Sequence, residues 1–571
     1  MRFNFSLKKF SFLFISILIL FSPAINAQSN FAELWNDVIE TEINTIGTRY
    51  IIPQSYRTLE LDLQNLSSAL NQVPSEIITR VKESDFILSL PFPDNSFSTF
   101  RIVESPVMAE ELTTKYPQIK TYLGQGVDDG TARIRFDITP EGFHAIIFSN
   151  KGTVYIDPYS LGETRYYISY FKKDYLPTED ELDAVCNVLG TDSEFGEHIR
   201  NLVMNNPDAL VGPQLRTYRL ACAATGEYTI FHGGTVALGL AAVVTAINRV
   251  TGVYENEVAV RLELIPNNDL IIYTDPNTDP YTNNNGGAML GQNQTNLDAV
   301  IGSANYDIGH VFSTGGGGVA YLGVVCQAGW KAQGVTGLSQ PIGDPFYIDY
   351  GAHEMGHQYG GNHSFNGNES ACGGGNRNGP TAYEPGSGST IMAYAGICGS
   401  QDLQNHSDDY FHNISFVEIV NYTNNGNGNS CPVITNTGNN EPTANVPAGG
   451  FTIPISTPFI LTGSGSDPDN DTLTYCWEEW DLGPAGHPNN PSGNAPIFRS
   501  FDPVDVSYRY FPKLSDILNN TQTIGEILPT YSRTLNFRLT VRDNRAGGGG
   551  VNYTQMQSID VTNTAGPFLV T

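Results

Sequence analysis

A chain of 571 residues is too long for one compact core and predicts about three or four domains. At 40% hydrophobic and 16% charged residues, the composition is that of a globular protein and not of a disordered one. Fifty-nine Asp and Glu against 30 Lys and Arg leave a formal charge of −29, which argues against nucleic acid or an anionic membrane as a main partner, since both are bound by clustered Lys and Arg.

The chain starts with a positive stretch, Arg2, Lys8 and Lys9, followed by an apolar run over 10–21. Pro23 and the small-residue stretch 24–27 then offer a cleavage site. This pattern predicts a signal peptide over 1–27 and a secreted, extracellular protein with no membrane span in its mature form. Export permits disulfides, and the odd count of seven cysteines leaves at least one thiol unpaired.

Residues 28–212 read as a separate α+β segment. A helix is expected over 30–50, a strand where Leu59, Leu61 and Leu63 alternate, and further strands over 132–137 and 145–148, with turns at 128–130 and 150–152. Over 213–431 the pattern becomes α/β. The spacing predicts a strand at 218–225, a helix at 236–250 and a strand at 258–265. An Asn/Gly/Pro-rich loop at 266–287 precedes a helix at 292–301, strands at 306–312 and 319–326, and a helix over 347–360 that ends in glycine. Residues 432–446 read as a linker, and 447–563 as an all-β sandwich of the cadherin or polycystic-kidney-disease type. Residues 564–571 read as a tail or the start of another segment.

The chemistry concentrates in one window, His353-Glu354-Met355-Gly356-His357-Gln358-Tyr359-Gly360-Gly361-Asn362-His363. Residues four apart share a helix face, so His353 and His357 can present imidazoles to one ion. Glu354 can hydrogen-bond a water on the metal without being a ligand, the position of a general base. Gly360 permits the turn that ends the helix, and His363 then supplies a third nitrogen. Three imidazoles leave a fourth tetrahedral position open, the arrangement of a catalytic Zn2+.

This window resembles the elongated motif of the metzincin metallopeptidases, HExxHxxGxxH, followed by a methionine turn. The turn is present at Ser389-Thr390-Ile391-Met392-Ala393-Tyr394, and the resemblance places Met392 beneath the metal as an apolar floor. The Met-Gly pair inside the motif and the general layout look most like reprolysin-like secreted bacterial peptidases, over nearly the whole chain. Two residues depart from that group. Ser364 follows the third histidine where reprolysins usually carry Asp, and Tyr394 matches astacin- and serralysin-like enzymes. Tyr394 is therefore read either as a transition-state stabiliser or as a packing tyrosine.

The resemblance further implies that 28–212 is a propeptide and that the protein is made as a zymogen. Cys186 is either a thiolate that takes the fourth metal position or a free or differently paired thiol, because Val185-Cys186-Asn187 does not match the families' own motif. Residues 319–326 resemble the edge strand that pairs with extended substrate, and the glycines at 315–318 either keep that edge open or form a loop without a role. Cys372 with Cys398, bracketing the loop between the metal helix and the methionine turn, is the expected disulfide, and Cys326 with Cys431 is the next candidate. Asp467, Asp469 and Asp471 are either a Ca2+ site or a solvated acidic turn. The sequence thus reads as a secreted zinc-dependent metalloendopeptidase acting on proteins or peptides. The alternative is a zinc-binding adhesion or matrix-binding protein with little or no turnover.

Overall fold

In strand Gly142–Phe148 every residue is buried, which a two-residue side-chain period allows only if both faces of its sheet are covered. Phe143, Ala145 and Ile147 point into one apolar core, while Ile146 and Phe148 enter another. The computed structural model, which describes residues 1, 31–178, 181, 186–206 and 208–566, shows what covers each face. The leader expected over 1–27 falls, Met1 apart, outside the described residues, as do residues 567–571.

Gly142–Phe148 is the central strand of a nine-stranded antiparallel sheet running from Trp35–Asp37 at one edge to Ile87–Pro91 at the other. Helix Leu63–Leu70 closes one face through Leu66 and Leu70. Helix Val236–Glu257 lies against the other. The helix expected over 30–50 does not form. Residues Trp35–Asp37 pair instead with Arg57–Leu61, and Trp35 packs edge-on against Phe143 and Tyr167, so burying one indole overrides local helical preference.

Val236–Glu257 is long and apolar enough to cross a membrane by length and composition, although no second such stretch was expected. Its burial accounts for the composition: it is apolar on all sides because it lies between two sheets. The second sheet runs in the order Cys186–Leu189, Gly318–Tyr321, Gly334–Gly337, Ile308–Ser313, Gln214–Ala224, Val260–Leu264. Along that order the pairings are parallel except between Gly318–Tyr321 and Gly334–Gly337. The strand expected over 319–326 stops at Tyr321, and Cys326 takes a positive φ of 66° in the following turn.

The expected helix at 347–360 is present as two pieces, a π-helical stretch Pro345–Ala352 and the α-helix His353–Gln358. Gly360, at φ 93°, ends it. Residues 432–446 are not a free linker, because Val433–Asn436 adds antiparallel to Gln214–Ala224 and Thr443–Asn445 pairs with Ser464–Ser466. The exposed backbone of the long first strand supplies that pairing.

Beyond residue 446 lie a five-stranded sheet and a two-stranded pair, Phe459–Thr462 with Tyr508–Phe511. Trp477, Phe498, Phe511 and Phe537 pack in their core. Arg542 joins this region to the long helix through a buried pair of hydrogen bonds to Glu257, at 2.8 and 2.7 Å.

Candidate active site

The short helix places His353 and His357 on one face, and the Gly360 turn returns the chain so that His363 closes the triangle. The three Nε2 atoms lie 3.0, 3.1 and 3.3 Å apart. Each Nδ1 donates to a backbone carbonyl: His353 to Ile391 at 2.6 Å, His357 to Gly361 at 2.7 Å and His363 to Asn376 at 2.6 Å. That fixes the tautomer, so all three Nε2 lone pairs face one point. Burial pushes all three imidazoles down, His353 to about 4, which keeps them in the neutral, ligating form.

Three converging lone pairs with no proton between them repel unless a cation sits among them. The spacing fits zinc: tetrahedral coordination at ordinary Zn–N lengths puts nitrogens about 3.4 Å apart, and a zinc-bound sulfur about 3.6 Å from each nitrogen. Cys186 Sγ lies 3.2, 3.7 and 3.8 Å from the same three nitrogens. Burial, and after it the Glu354 carboxylate, pushes the Cys186 thiol up, so a thiolate there needs a cation at the centre.

Glu354 is fully buried beside the triangle, and neither of its carboxylate oxygens has a hydrogen-bond partner. Burial pushes its carboxyl well above the usual range, against a lowering contact from Cys186. It fits only because the edge strand begins with glycine: a Cβ on Gly318 would lie 2.0 Å from Glu354 Oε1. Met392 lies under the helix in the same way, since a Cβ on Gly356 would meet its sulfur at 2.4 Å. Tyr394 packs its ring on His363, with centroids 4.5 Å apart, and donates its hydroxyl to the Cys186 carbonyl at 2.7 Å.

Cys186 arrives on a strand. Cys186–Leu189 runs parallel to Gly318–Tyr321, with Cys186 opposite Gly318, and is the outermost strand of the sheet. The edge expected to receive peptide is therefore covered by the N-terminal segment. The disulfides Cys372–Cys398 and Cys326–Cys431 are both present, leaving Cys186, Cys222 and Cys476 as free, buried thiols.

The sequence reading missed two buried carboxylates that hold the site together. Glu384 accepts from the Ser364 hydroxyl at 2.6 Å and from the Ser389 and Thr390 amides, tying the third histidine's neighbour to the methionine turn. Glu418 accepts from the Asn362 amide at 2.8 Å and its side chain at 2.7 Å, holding the turn before His363. Neither has a local sequence signal, because their partners come from other elements.

Asp467, Asp469 and Asp471 come together, and backbone amides or cations of the chain reach each of the three. Asp467 Oδ1 caps the amides of Asp469 and Asp471, both at 2.8 Å. Lys82 forms an ion pair with Asp471, and Arg545 lies 3.7 Å from Asp469. The calcium expected there finds no support.

Residues 214–423 match the family model of the reprolysin-like metallopeptidases, family M12B. This segment is a reprolysin-like metallopeptidase domain. The match spans five strands of the sheet, from Gln214–Ala224 to Gly334–Gly337, with the long helix, the three histidines and the methionine turn, so the histidine triangle lies inside the reprolysin-like region and Cys186 lies outside it. No curated protein matches the chain. The matched family is one of metalloproteases that act on protein or peptide substrates, and zinc is the metal that the donor set of this segment fits.

Proposed function

We propose that the chain is a secreted zinc endopeptidase made as a latent zymogen, in which residues 28–212 block the site until they are removed. The observation that carries this reading is the convergence of Cys186 Sγ and three imidazole nitrogens on one point, beside a carboxylate with no other partner.

His353, His357 and His363 would hold the zinc, and a bound zinc supplies Lewis acidity to the scissile carbonyl and to a water. Glu354 is placed to take a proton from the attacking water and to deliver one to the leaving amine. The edge strand Gly318–Tyr321 pairs with extended substrate once Cys186–Leu189 has left. Tyr394, whose hydroxyl donates to a carbonyl of the inserted strand, is then free to donate to the oxyanion of a substrate. Two disulfides suit an oxidising compartment, which supports the expectation of export. Residues 447–563 act as an accessory β-sandwich domain.

The test is hydrolysis of a denatured protein by the chain before and after removal of the N-terminal segment by limited proteolysis. The proposal expects activity only afterwards, abolished by a chelator and restored by zinc. A zinc-loaded, processed protein that hydrolyses nothing would favour the binding-protein alternative.

A further inference from the structure

Among the described residues, three groups of side chains could each hold a metal ion: the three histidines with Cys186, the acidic turn at Asp467, and a cluster of Asp344, Asp349 and His406. A side chain from the N-terminal segment occupies each of them. Cys186 meets the histidines, Lys82 meets Asp471 and Lys172 meets Asp344.

The third group is the least expected. Asp344 and Asp349 flank and enter the π-helical stretch that leads into the metal helix, and His406 and Asp409 lie in the loop that follows the methionine turn. Lys172 Nζ sits between Asp409 Oδ1 at 2.7 Å and Asp344 Oδ2 at 3.1 Å, with 9% of the residue exposed. Asp344 Oδ1 accepts from the Tyr155 hydroxyl, so this contact and the one from Lys172 both come from the N-terminal segment. Asp349 accepts from His406 Nδ1 at 2.8 Å and from the Ser407 amide at 2.9 Å. Asp409 Oδ2 and His406 Nε2 have no hydrogen-bond partner, although their residues are only 9% and 7% exposed.

Two largely buried carboxylates, Asp344 and Asp409, share one ammonium, and burial pushes the Asp344 carboxyl up even with Lys172 beside it. Undocking the N-terminal segment would remove the ammonium and the Tyr155 hydroxyl together, leaving the acids uncompensated. A cavity of ≈ 470 Å³ lined by Lys172, Tyr175, His406, Asp408, Asp409 and Asp502 already adjoins the cluster.

We infer that Asp344, Asp349 and Asp409 form a site for a hard divalent cation of the calcium class, and that Lys172 holds its place while the N-terminal segment is docked. Carboxylate oxygens select such ions, and His406 orients Asp349 as an outer partner. The bound ion would tie the turn leading into His353 to the loop 406–409, and so brace one wall of the cleft when the propeptide leaves. This last step rests on the latency reading, whereas the site itself does not.

The site is testable in the full, zinc-loaded chain carrying Glu354→Gln, so the outcome does not depend on peptidase activity. Terbium(III) serves as the probe, its luminescence excited through the neighbouring tyrosines Tyr155 and Tyr175. Lys172→Met removes the ammonium and keeps the stem. It is expected to bind terbium at least tenfold more tightly than the chain with Lys172 intact, with calcium displacing the probe. Adding Asp409→Asn is expected to abolish the gain. Equal binding with and without Lys172, or an unchanged gain after Asp409→Asn, would overturn the inference. If Lys172→Met cannot be purified folded, its refolding yield with and without millimolar calcium decides the matter: recovery by calcium supports the site, and no recovery overturns it.

Discussion

Arg135 of the N-terminal sheet and Glu255 of the long helix form a doubly hydrogen-bonded ion pair, with side chains only 1% and 2% exposed. Other buried charge contacts cross the same interface, among them Arg249 to Asp157 at 2.5 Å and Lys172 to Asp409 at 2.7 Å. Such an interface excludes water when docked, yet both of its faces can be solvated when apart. That suits a segment built to leave.

Breaking one partner should therefore loosen the docked state strongly. Arg135→Ala leaves Glu255 buried with only Arg261 beside it and is expected to cost about 3–5 kcal/mol. The measurement is thermal unfolding together with protease sensitivity of residues 31–178. Replacing an exposed cation such as Lys151 should change neither.

Acid should act on the same contact. Burial alone would raise the Glu255 carboxyl, but Arg135 and Arg261 outweigh it and hold it below its ordinary value. A depressed carboxylate contributes stability that is present above its unfolded pKa, about 4.3, and is lost as pH falls through the lower folded value. Protease sensitivity of the N-terminal segment should thus rise below about pH 4. Glu255→Gln should weaken that acid dependence.

Cys186→Ala removes the sulfur from the metal centre but keeps the strand pairing with Gly318–Tyr321. The unprocessed chain should then hydrolyse a short peptide at least tenfold faster than the parent chain. Equal silence would show that strand pairing alone keeps the site closed.

Gly318→Ala places a methyl group where the Glu354 carboxylate lies. The processed protein should lose on the order of 10²-fold or more in kcat, in keeping with displacement of a general base, while zinc content is unchanged. Loss of zinc together with activity would instead point to collapse of the helix.

The metal triangle was legible in sequence because its three histidines sit within eleven residues, where helix geometry and one glycine turn fix their relation. Cys372–Cys398 was legible as a bracket around the loop between the metal helix and the methionine turn, but seven cysteines leave connectivity open, and Cys326–Cys431 did not follow from the sequence. The nine-stranded sheet was less legible. Its central strand Gly142–Phe148 is buried on both faces and loses the alternation that marks a strand, and Trp35–Asp37 looked helical until Trp35 found its place against Phe143. Glu384, Glu418 and Lys172 were not legible, because the contacts that tie them to the site reach Ser364, Asn362 and Asp409, 20, 56 and 237 positions away. Long-range polar contacts leave no local pattern.

The central claim is that Glu354, beside three zinc-binding histidines, breaks peptide bonds. The most direct test is cleavage of a mixed denatured-protein substrate by the processed protein, with Glu354→Ala measured alongside and zinc determined in both. The account predicts cleavage by the parent protein and silence from the variant at equal zinc content. Cleavage by both, or by neither with zinc retained, would contradict it.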